Sequence, residues 1–443
     1  MFGKVLVANR SAVAARVLRA LDGLGVPSVA VYSDADAAAP YLAVAGEAVR
    51  IGEGPARQSY LDQDRVIEAA LASGCDAVHP GYGFLAENAG FARRVTAAGM
   101  TFIGPAPRFI DAMGHKTRAR ELARELGLPV AAGSGVLPAD REAARAAARD
   151  IGYPVMVKPA AGGGGIGMIA ARDEDALAAA VEKASSLAAR GFGNGEVYLE
   201  RLLDRPRHIE FQVLGDRHGD IRHLFERDCS VQRRNQKILE EAPAPGPADG
   251  VDALAGRVAD GLRRLGYDNI GTVEMLMAAD GTFTFLEMNT RLQVEHGVTE
   301  AITGIDLVAA QIRSAAGEKL SAILPAEIAR AGHAIEARIC AEDPVRFFPS
   351  AGRLDVFRLP ADARVETGYA EGGTVTPFYD SLLAKIIAHG PTRADATARL
   401  VAALEATEIV GVKTNVPALL RLLRSQAHRD GRLHTGLVPE VLQ

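Results

Sequence analysis

The chain lacks the features typical of secreted, membrane and nucleic-acid-binding proteins. Among its 443 residues there is no tryptophan, only 5% are aromatic, and only three are cysteines, namely Cys75, Cys229 and Cys340. These cysteines lie far apart and form no CxxC pattern, which argues against a disulfide framework and favours a reducing, cytoplasmic environment. No apolar stretch of about 18 residues occurs, so we expect no membrane span. A net charge of −5 argues against nucleic-acid binding through bulk positive charge.

What the chain does have is an alternation of strand and helix patterns that is typical of α/β proteins. The N-terminal part follows a βαβ rhythm, which predicts a parallel sheet, and the central part turns to strands with polar residues on one face. The predicted strands lie at residues 4–8, 28–32, 77–79, 101–103, 207–214, 271–277, 282–289, 333–339 and 353–358. The predicted helices lie at residues 12–24, 65–73 and 117–126.

A run of four glycines, residues 162–165, follows Lys158 and an apolar strand pattern. Glycine lets backbone N–H groups approach an anion such as a polyphosphate closely. A strand-like segment follows the run, and the next helix pattern begins only near Asp173, so the run matches neither a Walker loop nor a dinucleotide fingerprint. We therefore predict a glycine flap between two strands, with Lys158 at its base. The alternative is a surface loop that binds no ligand.

The dipeptide of Asp280 and Gly281 predicts a two-residue β-hairpin. In that register Glu274 lies directly opposite Glu287, where two carboxylates would repel unless a cation compensated them. Carboxylate oxygens favour Mg²⁺, and strand alternation places Asn289 on the same face as Glu287. The sequence thus predicts a divalent-metal site that holds nucleotide phosphates. The alternative is a pair of solvent-exposed surface glutamates.

The residues after this hairpin carry polar side chains at every second position. Strand alternation places Arg291, Gln293 and Glu295 on one face, which brings an anion binder, an amide and a base beside the predicted metal. A small oxyanion such as bicarbonate would fit there, with Glu295 placed to take its proton. The alternative is an ion pair between Arg291 and Glu295 within one strand.

Residues 226–237 form another dense polar cluster, ERDCSVQRRNQK. The cluster is too polar for a protein core and too varied for a solvated helix face, so we predict that it contacts a ligand. Gln232 and Lys237 are natural partners for phosphate or carboxyphosphate. The spacing around His208 favours a core or capping histidine over a nucleotide contact.

Together these motifs resemble the biotin carboxylase family of the ATP-grasp superfamily, and the resemblance is collinear over essentially the whole chain. The matching stretches are VANR at residues 7–10, HPGYGFL at 79–85, ERDCS at 226–230, EEAP at 240–243, EMNTRLQVEH at 287–296, AEDP at 341–344 and YDS at 379–381. The resemblance implies three domains. They are a Rossmann-like parallel-sheet domain at residues 1–113, an ATP-grasp domain at 114–330 with a mobile glycine-rich lid at about 131–203, and an α+β C-terminal domain at 331–443.

The resemblance also implies a reaction, in which ATP, Mg²⁺ or Mn²⁺ and bicarbonate carboxylate protein-linked biotin through carboxyphosphate. The implied catalytic residues are Lys237, Arg291, Glu295 as the base, and Arg338, which stabilises the biotin enolate. The implied nucleotide contacts are Lys116, Lys158, Gly164, Gly165, Met168, Glu200, Arg201, Leu203, His208, Gln232, Asn235 and Leu437. The implied metal ligands are Glu274, Glu287 and Asn289. The implied bicarbonate contacts are Lys237, Arg291, Gln293, Val294 and Glu295, and the implied biotin contacts are Tyr82 and Arg338.

Several positions depart from the family pattern. Asn235 replaces a histidine near the phosphates, Ile166 replaces a frequent arginine after the glycine run, and Gly297 replaces a proline. No Ala-Met-Lys-Met biotinylation motif occurs. We therefore expect biotin to arrive on a separate biotin carboxyl carrier protein, with a separate carboxyltransferase subunit of an acetyl-CoA-type or related carboxylase.

The family pattern also implies a homodimer. Arg19 and Arg364 match interface positions, whereas Gly23 stands where a glutamate is common. Two other functions stay open at this point. An ATP-grasp ligase that joins a carboxylate to an amine would not need Arg338, and a non-catalytic nucleotide-binding regulatory subunit is favoured by the departures at Asn235 and Ile166.

Overall fold

The computed structural model describes residues 1–138, 140–160, 167–246 and 250–442. The N-terminal elements are β1 (Val5–Val7), α1 (Ser11–Gly23), β2 (Ser28–Ser33), β3 (Glu47–Gly52), α2 (Gln63–Ala72), β4 (Ala77–His79), α3 (Ala89–Ala97), β5 (Thr101–Phe102) and α4 (Pro107–Gly114). The strands form a five-stranded, all-parallel sheet in the order β3-β2-β1-β4-β5. Buried apolar side chains from the sheet and its helices form two hydrophobic clusters, as parallel sheets require. The predicted parallel N-terminal sheet is confirmed.

The next elements build a small sheet around the glycine run. They are α5 (Lys116–Glu125), β6 (Gly133–Val136), α6 (Arg141–Ile151), β7 (Val155–Pro159), β8 (Ile169–Ala171), α7 (Glu174–Phe192) and β9 (Val197–Arg201). Four strands pair in the antiparallel order β6-β9-β7-β8. Lys158 lies in β7, and strand β8 follows the glycine run, as predicted. The run itself, including Gly164 and Gly165, lies outside the described residues, as does Ile166.

A larger sheet joins the central and C-terminal segments. The central elements are β10 (Arg207–Gly215), β11 (Ile221–Arg233), β12 (Gln236–Ala242), α8 (Val251–Leu265), β13 (Asn269–Met277), β14 (Phe283–Asn289), α9 (His296–Thr303), α10 (Leu307–Ala315) and α11 (Leu320–Ile323). The C-terminal elements are β15 (His333–Cys340), β16 (Gly352–Arg353), β17 (Val356–Arg358), β18 (Arg364–Thr367), β19 (Thr374–Val375), β20 (Leu382–Gly390), α12 (Arg393–Glu405), β21 (Glu408–Val410), α13 (Val416–Leu423), α14 (Gln426–Arg429) and α15 (Leu437–Leu442). Eight strands pair in the antiparallel order β14-β13-β10-β11-β12-β15-β20-β18. Of the helices described, none is long and apolar enough to cross a membrane.

The hairpin of β13 and β14 confirms the predicted pairing of Glu274 with Glu287 but not the predicted turn. The turn spans three residues, 279–281, because Gly281 adopts the left-handed conformation at φ +82° and donates its N–H to the Ala278 carbonyl. The extra residue shifts the register by one. A bulge next to Glu274 then restores the predicted pair, so the two carboxylates still lie opposite each other.

Two other predictions about local structure are wrong. Residues 353–358 form two strands rather than one, because β16 pairs with β19 whereas β17 pairs with β21. The polar cluster at residues 226–237 is not too polar for the interior, since it forms parts of β11 and β12 in which Arg227 and Asp228 are buried. Hydrogen-bonded partners make that burial possible: Arg227 donates to Glu210 at 2.6 Å and to Thr299 at 2.9 Å.

Candidate active site

A cleft of about 1090 Å³ lies between the four-stranded sheet and the eight-stranded sheet. This volume is enough for a nucleotide together with a second small substrate. The predicted site residues that line it are Tyr82, Lys116, Lys158, Met168, Glu200, Arg201, Leu203, His208, Gln232, Asn235, Lys237, Glu274, Glu287, Asn289, Arg291, Gln293, Val294, Glu295 and Arg338. Leu437 does not line the cleft, because α15 packs its apolar face into the C-terminal hydrophobic cluster and leaves Leu437 buried there.

One end of the cleft is organised around the Glu200 carboxylate on β9. Lys158 on β7 and Arg120 on α5 both donate to this carboxylate, and the Tyr198 hydroxyl donates to it at 3.2 Å. Burial alone would raise the pKa of Glu200, but Lys158 and Arg120 lower it below its ordinary value. The charged carboxylate therefore holds the Lys158 ammonium at the base of the glycine run. Arg120 was not predicted from the sequence; its spacing of four residues from Lys116 puts both side chains on one face of α5.

The centre of the cleft is one ammonium group shared by three carboxylates. The Lys237 Nζ lies 2.5 Å from Glu210, 2.8 Å from Glu274 and 2.6 Å from Glu295. Burial would lower the pKa of Lys237, but the three carboxylates raise it well above its ordinary value. Burial would raise the pKa of Glu274, yet chiefly Lys237 lowers it to about 2, and the pKa of Glu295 is lowered for the same reason. Glu295 is therefore ionised at neutral pH, the form in which a carboxylate acts as a general base.

Glu210 is the main component of this centre that the sequence did not predict. It is fully buried between Arg227 and Lys237, and its strand partner across β10 and β13 is Glu274. Glu210 lies two residues after His208 on β10, so strand alternation places both side chains on one face. That spacing is the sequence signal that could have identified Glu210. His208 is buried, as its spacing favours, and it also lines the cleft with its Nε2 at 3.2 Å from Glu274. Burial would lower the pKa of His208, but chiefly the Glu274 carboxylate raises it to about 9.

Glu274, Glu287 and Asn289 offer a set of hard oxygen donors at one wall of the cleft. The two glutamates pair across β13 and β14, and the Asn289 Nδ2 lies 2.8 Å from Glu274 Oε1. Each carboxylate has a lysine beside it, since Lys116 Nζ lies 3.3 Å from Glu287 Oε2 and Lys237 contacts Glu274. Two carboxylates and an amide oxygen are hard donors of the kind that would hold Mg²⁺ or Mn²⁺, and the two lysines would then be free to contact an anionic ligand.

The segment between β14 and α9 is a loop, not the predicted continuation of strand alternation. The chain turns there because Glu295 is the N-cap of α9. Arg291 donates to Gln293 at 2.8 Å and, through its Nε, to Glu87 at 2.8 Å. Glu87, which follows the HPGYGFL stretch, was not predicted. The ion pair between Arg291 and Glu295 weighed from the sequence does not form among the described contacts, and Glu295 has other cationic partners.

Arg338 on β15 is the second cation beside Glu295. Its Nη2 lies 3.0 Å from Glu295 Oε2, and its Nε lies 2.6 Å from Glu240 Oε1. Burial raises the pKa of Glu240 to about 7 even though Arg338 lowers it. Tyr82 lines the same cleft. The site thus joins an end with the Lys158 ammonium, an oxygen-donor wall and an ionised base between two cations, which suits phosphoryl transfer to a small oxyanion.

The residues predicted for dimerisation lie on another face. Arg19 and Arg364 line a separate cavity of about 470 Å³ beside α1, β18 and the end of α9. Arg364 forms ion pairs with Glu300 and Glu366, and Gly23 is exposed at the end of α1. The homodimer stays a prediction.

Family profiles cover most of the chain. "Biotin carboxylase, N-terminal domain" matches residues 1–110, "Carbamoyl-phosphate synthase L chain, ATP binding domain" matches 115–323, and "Biotin carboxylase C-terminal domain" matches 336–440. Biotin carboxylase 2 of Bacillus subtilis is 47% identical over 445 residues and covers 100% of both chains. The 2-oxoglutarate carboxylase small subunit of Hydrogenobacter thermophilus is 44% identical and covers 99% of this chain and 94% of that protein.

Solved structures agree with these sequence relatives. The biotin carboxylase domain dimer of Hydrogenobacter thermophilus 2-oxoglutarate carboxylase, in complex with MgADP, ADP and bicarbonate, has a TM-score of 0.96 at 43% identity and covers 100% of this chain and 99% of that chain. Campylobacter jejuni biotin carboxylase in a β,γ-ATP complex also has a TM-score of 0.96, at 38% identity and 99% coverage of each chain.

Proposed function

Because the chain belongs to the biotin carboxylase family, we propose that it uses ATP and bicarbonate to carboxylate biotin on a carrier protein, which yields carboxybiotin, ADP and phosphate. The observation that carries the assignment of residues is the position of Glu295. This base lies between Lys237, which contacts Glu274 of the oxygen-donor pair, and Arg338, which also contacts Glu240.

The first step is phosphoryl transfer to bicarbonate. Glu295 takes the bicarbonate proton, and a carbonate oxygen then attacks the γ-phosphorus of ATP while the bond to the β,γ-bridging oxygen breaks. Carboxyphosphate and ADP are formed. The residues that hold bicarbonate are Lys237, Arg291, Gln293 and Val294. The residues that bind the nucleotide are Lys116, Lys158, Gly164, Gly165, Met168, Glu200, Arg201, Leu203, His208, Gln232 and Asn235. Glu274, Glu287 and Asn289 would hold Mg²⁺ or Mn²⁺, which supplies charge neutralisation at the phosphates.

The second step transfers the carboxyl group. Carboxyphosphate separates into CO₂ and phosphate, the phosphate takes the ureido N–H proton of biotin, and the ureido nitrogen attacks CO₂. Arg338 stabilises the negative charge that develops on the ureido oxygen, and Tyr82 borders the biotin position. The 3.0 Å contact between Arg338 and Glu295 supports one shared site for both steps. It also favours this reaction over carboxylate–amine ligation, which has no need of Arg338.

The decisive experiment incubates the purified protein with ATP, Mg²⁺, labelled bicarbonate and free biotin. We expect labelled carboxybiotin, and we expect Glu295→Gln to lower its formation by about 100-fold or more, because general-base catalysis contributes on that scale. Glu327→Gln, an exposed glutamate exchange, is the matched control and should keep full activity. Full labelling by Glu295→Gln would refute the assignment of the base. Tight ATP binding without bicarbonate- and biotin-dependent turnover in the unaltered protein would favour the regulatory alternative.

We further propose that the chain works with a biotin carboxyl carrier protein and a carboxyltransferase, as a subunit of an acetyl-CoA-type or related carboxylase. Relatives of nearly equal identity are named as biotin carboxylase and as the small subunit of 2-oxoglutarate carboxylase. This similarity supports a reaction common to all of them, with the final acceptor chosen by the transferase. The dimer in the Hydrogenobacter thermophilus relative supports a homodimer, and we propose Arg19 and Arg364 as interface residues.

A further inference from the structure

A fully buried lysine lies beneath the segment assigned to bicarbonate. Lys385 on β20 is 0% exposed, and its Nζ donates to the backbone carbonyl of Val294 at 2.5 Å. The same ammonium lies 2.8 Å from Glu366 and 3.5 Å from Glu336. Val294 immediately precedes Glu295, the N-cap of α9. One buried charge therefore contacts the peptide that joins a bicarbonate-binding residue to the base.

The strand register explains why Lys385 reaches this peptide. Lys385 pairs directly with Arg338 on β15 and with Glu366 on β18. Residues directly opposite each other on neighbouring strands project from the same face of a sheet. Helix α9 packs against β12, β15 and β20. The side chains of Arg338 and Lys385 thus approach Glu295 and Val294, respectively, from one face of one sheet.

Packing and helix stability do not account for an ammonium group at this position. Burying a lysine requires desolvation, and an apolar residue of similar volume usually serves stability equally well. A positive charge near the N-terminus of a helix also opposes the helix dipole. Glu366 compensates the charge, but an apolar pair at the positions of Lys385 and Glu366 would avoid the desolvation of both. The contact of Lys385 that packing and helix stability leave unexplained is its hydrogen bond to the Val294 carbonyl.

We propose that Lys385 is a positioning residue for bicarbonate. Its ammonium fixes the Val294 carbonyl, and so sets the orientation of the peptide bond from Val294 to Glu295 and the placement of the Glu295 carboxylate toward the substrate. This inference rests on the proposed function, since it assumes that Val294 and Glu295 meet bicarbonate. Lys385 itself does not touch the substrate and acts through the backbone.

The test is the steady-state kinetics of Lys385→Met with bicarbonate and ATP varied separately. We expect kcat/KM for bicarbonate to fall about 10- to 100-fold, because a displacement near 1 Å at a reacting group has effects of that size. The KM for ATP should change less than about twofold, since Lys116 and Lys158 lie on other elements. A purely structural role would lower the fraction of active enzyme, and so reduce kcat for both substrates without changing either KM. That outcome, or an unchanged kcat/KM for bicarbonate, would overturn the proposal.

Two further variants protect the test against misfolding. Lys385→Met removes one positive charge beside Glu366, which still contacts Arg364, so the double variant Lys385→Met with Glu366→Gln restores the charge balance of this cluster. The double variant should show the same loss for bicarbonate; a return to the original kinetics would overturn the proposal, because charge imbalance alone would then be the cause. Lys413→Met, at an exposed lysine of the same segment, should match the unaltered protein. If the unaltered protein itself lacks bicarbonate-dependent turnover, the proposed function fails rather than the role of Lys385.

Discussion

Glu295 has a different cation at each of its two carboxylate oxygens. Lys237 contacts Oε1 at 2.6 Å, and Arg338 contacts Oε2 at 3.0 Å. Lys237 also contacts Glu274 on the oxygen-donor wall, whereas Arg338 contacts Glu240, which follows Lys237 on β12. Removing Arg338 therefore leaves the contact between Lys237 and Glu295 in place. This asymmetry separates the residues of the two proposed chemical steps.

We expect Arg338→Ala to separate ATP hydrolysis from biotin carboxylation. Bicarbonate-dependent ATP hydrolysis should persist, because Lys237 still holds Glu295 beside the bicarbonate position. Carboxybiotin formation should fall about 100-fold or more, because the ureido oxygen loses the group that stabilises its developing charge. Phosphate release and labelled carboxybiotin, measured in the same reaction, give the two rates. Arg358→Ala, an exchange on the exposed side of β17, is the control. Equal loss of both activities would contradict the proposed division.

We expect Glu336 to make the free energy of unfolding depend on pH. Burial raises its pKa to about 8, although Lys385 lowers it. The pKa of Glu336 in the unfolded chain is near 4.3, so between about pH 4 and pH 8 the folded state binds more protons than the unfolded state. The free energy of unfolding therefore falls as pH rises through this range, by at most about 1.4 kcal/mol per pH unit. We expect Glu336→Gln to weaken this decline, as measured by urea unfolding at pH 5, 6, 7 and 8. Glu327→Gln should not change the slope, and an unchanged slope in Glu336→Gln would contradict the expectation.

At the scale of elements, Asn235 belongs to the tight turn between β11 and β12. Arg234 and Asn235 have φ values of +51° and +64°, and Arg233 pairs with Gln236 across the turn. This geometry is that of a two-residue hairpin turn, in which asparagine is favoured. The departure from the family histidine therefore has a local physical reason, while the side chain still borders the cleft.

We expect Asn235→Val to lower the free energy of unfolding by about 1–2 kcal/mol, because a β-branched residue is strained at positive φ. Asn235→Gly should stay within about 0.5 kcal/mol of the unaltered protein, since glycine adopts this conformation freely. Urea unfolding of both variants, with the KM for ATP measured alongside, separates strain in the turn from loss of a nucleotide contact. Equal stability of the valine and glycine variants would show that the turn carries no such strain.

Strands, helices and their pairing were predicted well from the local sequence where a single pattern was strong. The βαβ rhythm predicted the parallel sheet, and alternation around Gly281 predicted the pairing of Glu274 with Glu287. The prediction of that pair succeeded although the turn has three residues, because a bulge returned the register. Alternation beyond β14 failed because the N-terminus of α9 turns the chain at Glu295. No local sequence pattern predicts the bulge next to Glu274 or the start of α9 at Glu295.

At the scale of the whole molecule, the buried charges were the least predictable feature. Arg227 belongs to the polar cluster that was predicted to contact a ligand rather than to lie in the core, yet it is fully buried. Its partners Glu210 and Thr299 come from residues 17 and 72 positions away. Only the folded sheet brings them together, which is also why Glu87 and Glu210 were missed as site residues. Residues that belong to a recognisable motif, such as Lys158 and Glu287, were predicted to be site residues, and they line the cleft.

The eight-stranded sheet runs without a break across the predicted domain boundary at residue 330. Strand β12 pairs with β15 along four residue pairs, from Leu239 with Ala337 onward. Glu241 on β12 also accepts hydrogen bonds from His333 at 2.7 Å and from Arg393 on α12 at 2.6 Å and 2.9 Å. Burial would raise the pKa of Glu241, but these bonds lower it to about 2. The two segments thus share backbone pairing and a buried ion pair.

We therefore expect residues 331–443 not to fold when expressed alone. Without β12, strand β15 becomes an open edge and Arg393 loses its carboxylate, and breaking a buried pair of this kind costs about 3–5 kcal/mol. The isolated segment should aggregate or show poorly dispersed amide signals by NMR, whereas coexpression with residues 1–330 should recover a soluble complex of both pieces. Size-exclusion chromatography of the two preparations gives the comparison. A monomeric, well-dispersed isolated segment would show that the sheet junction is an interface between independent domains rather than part of one folding unit.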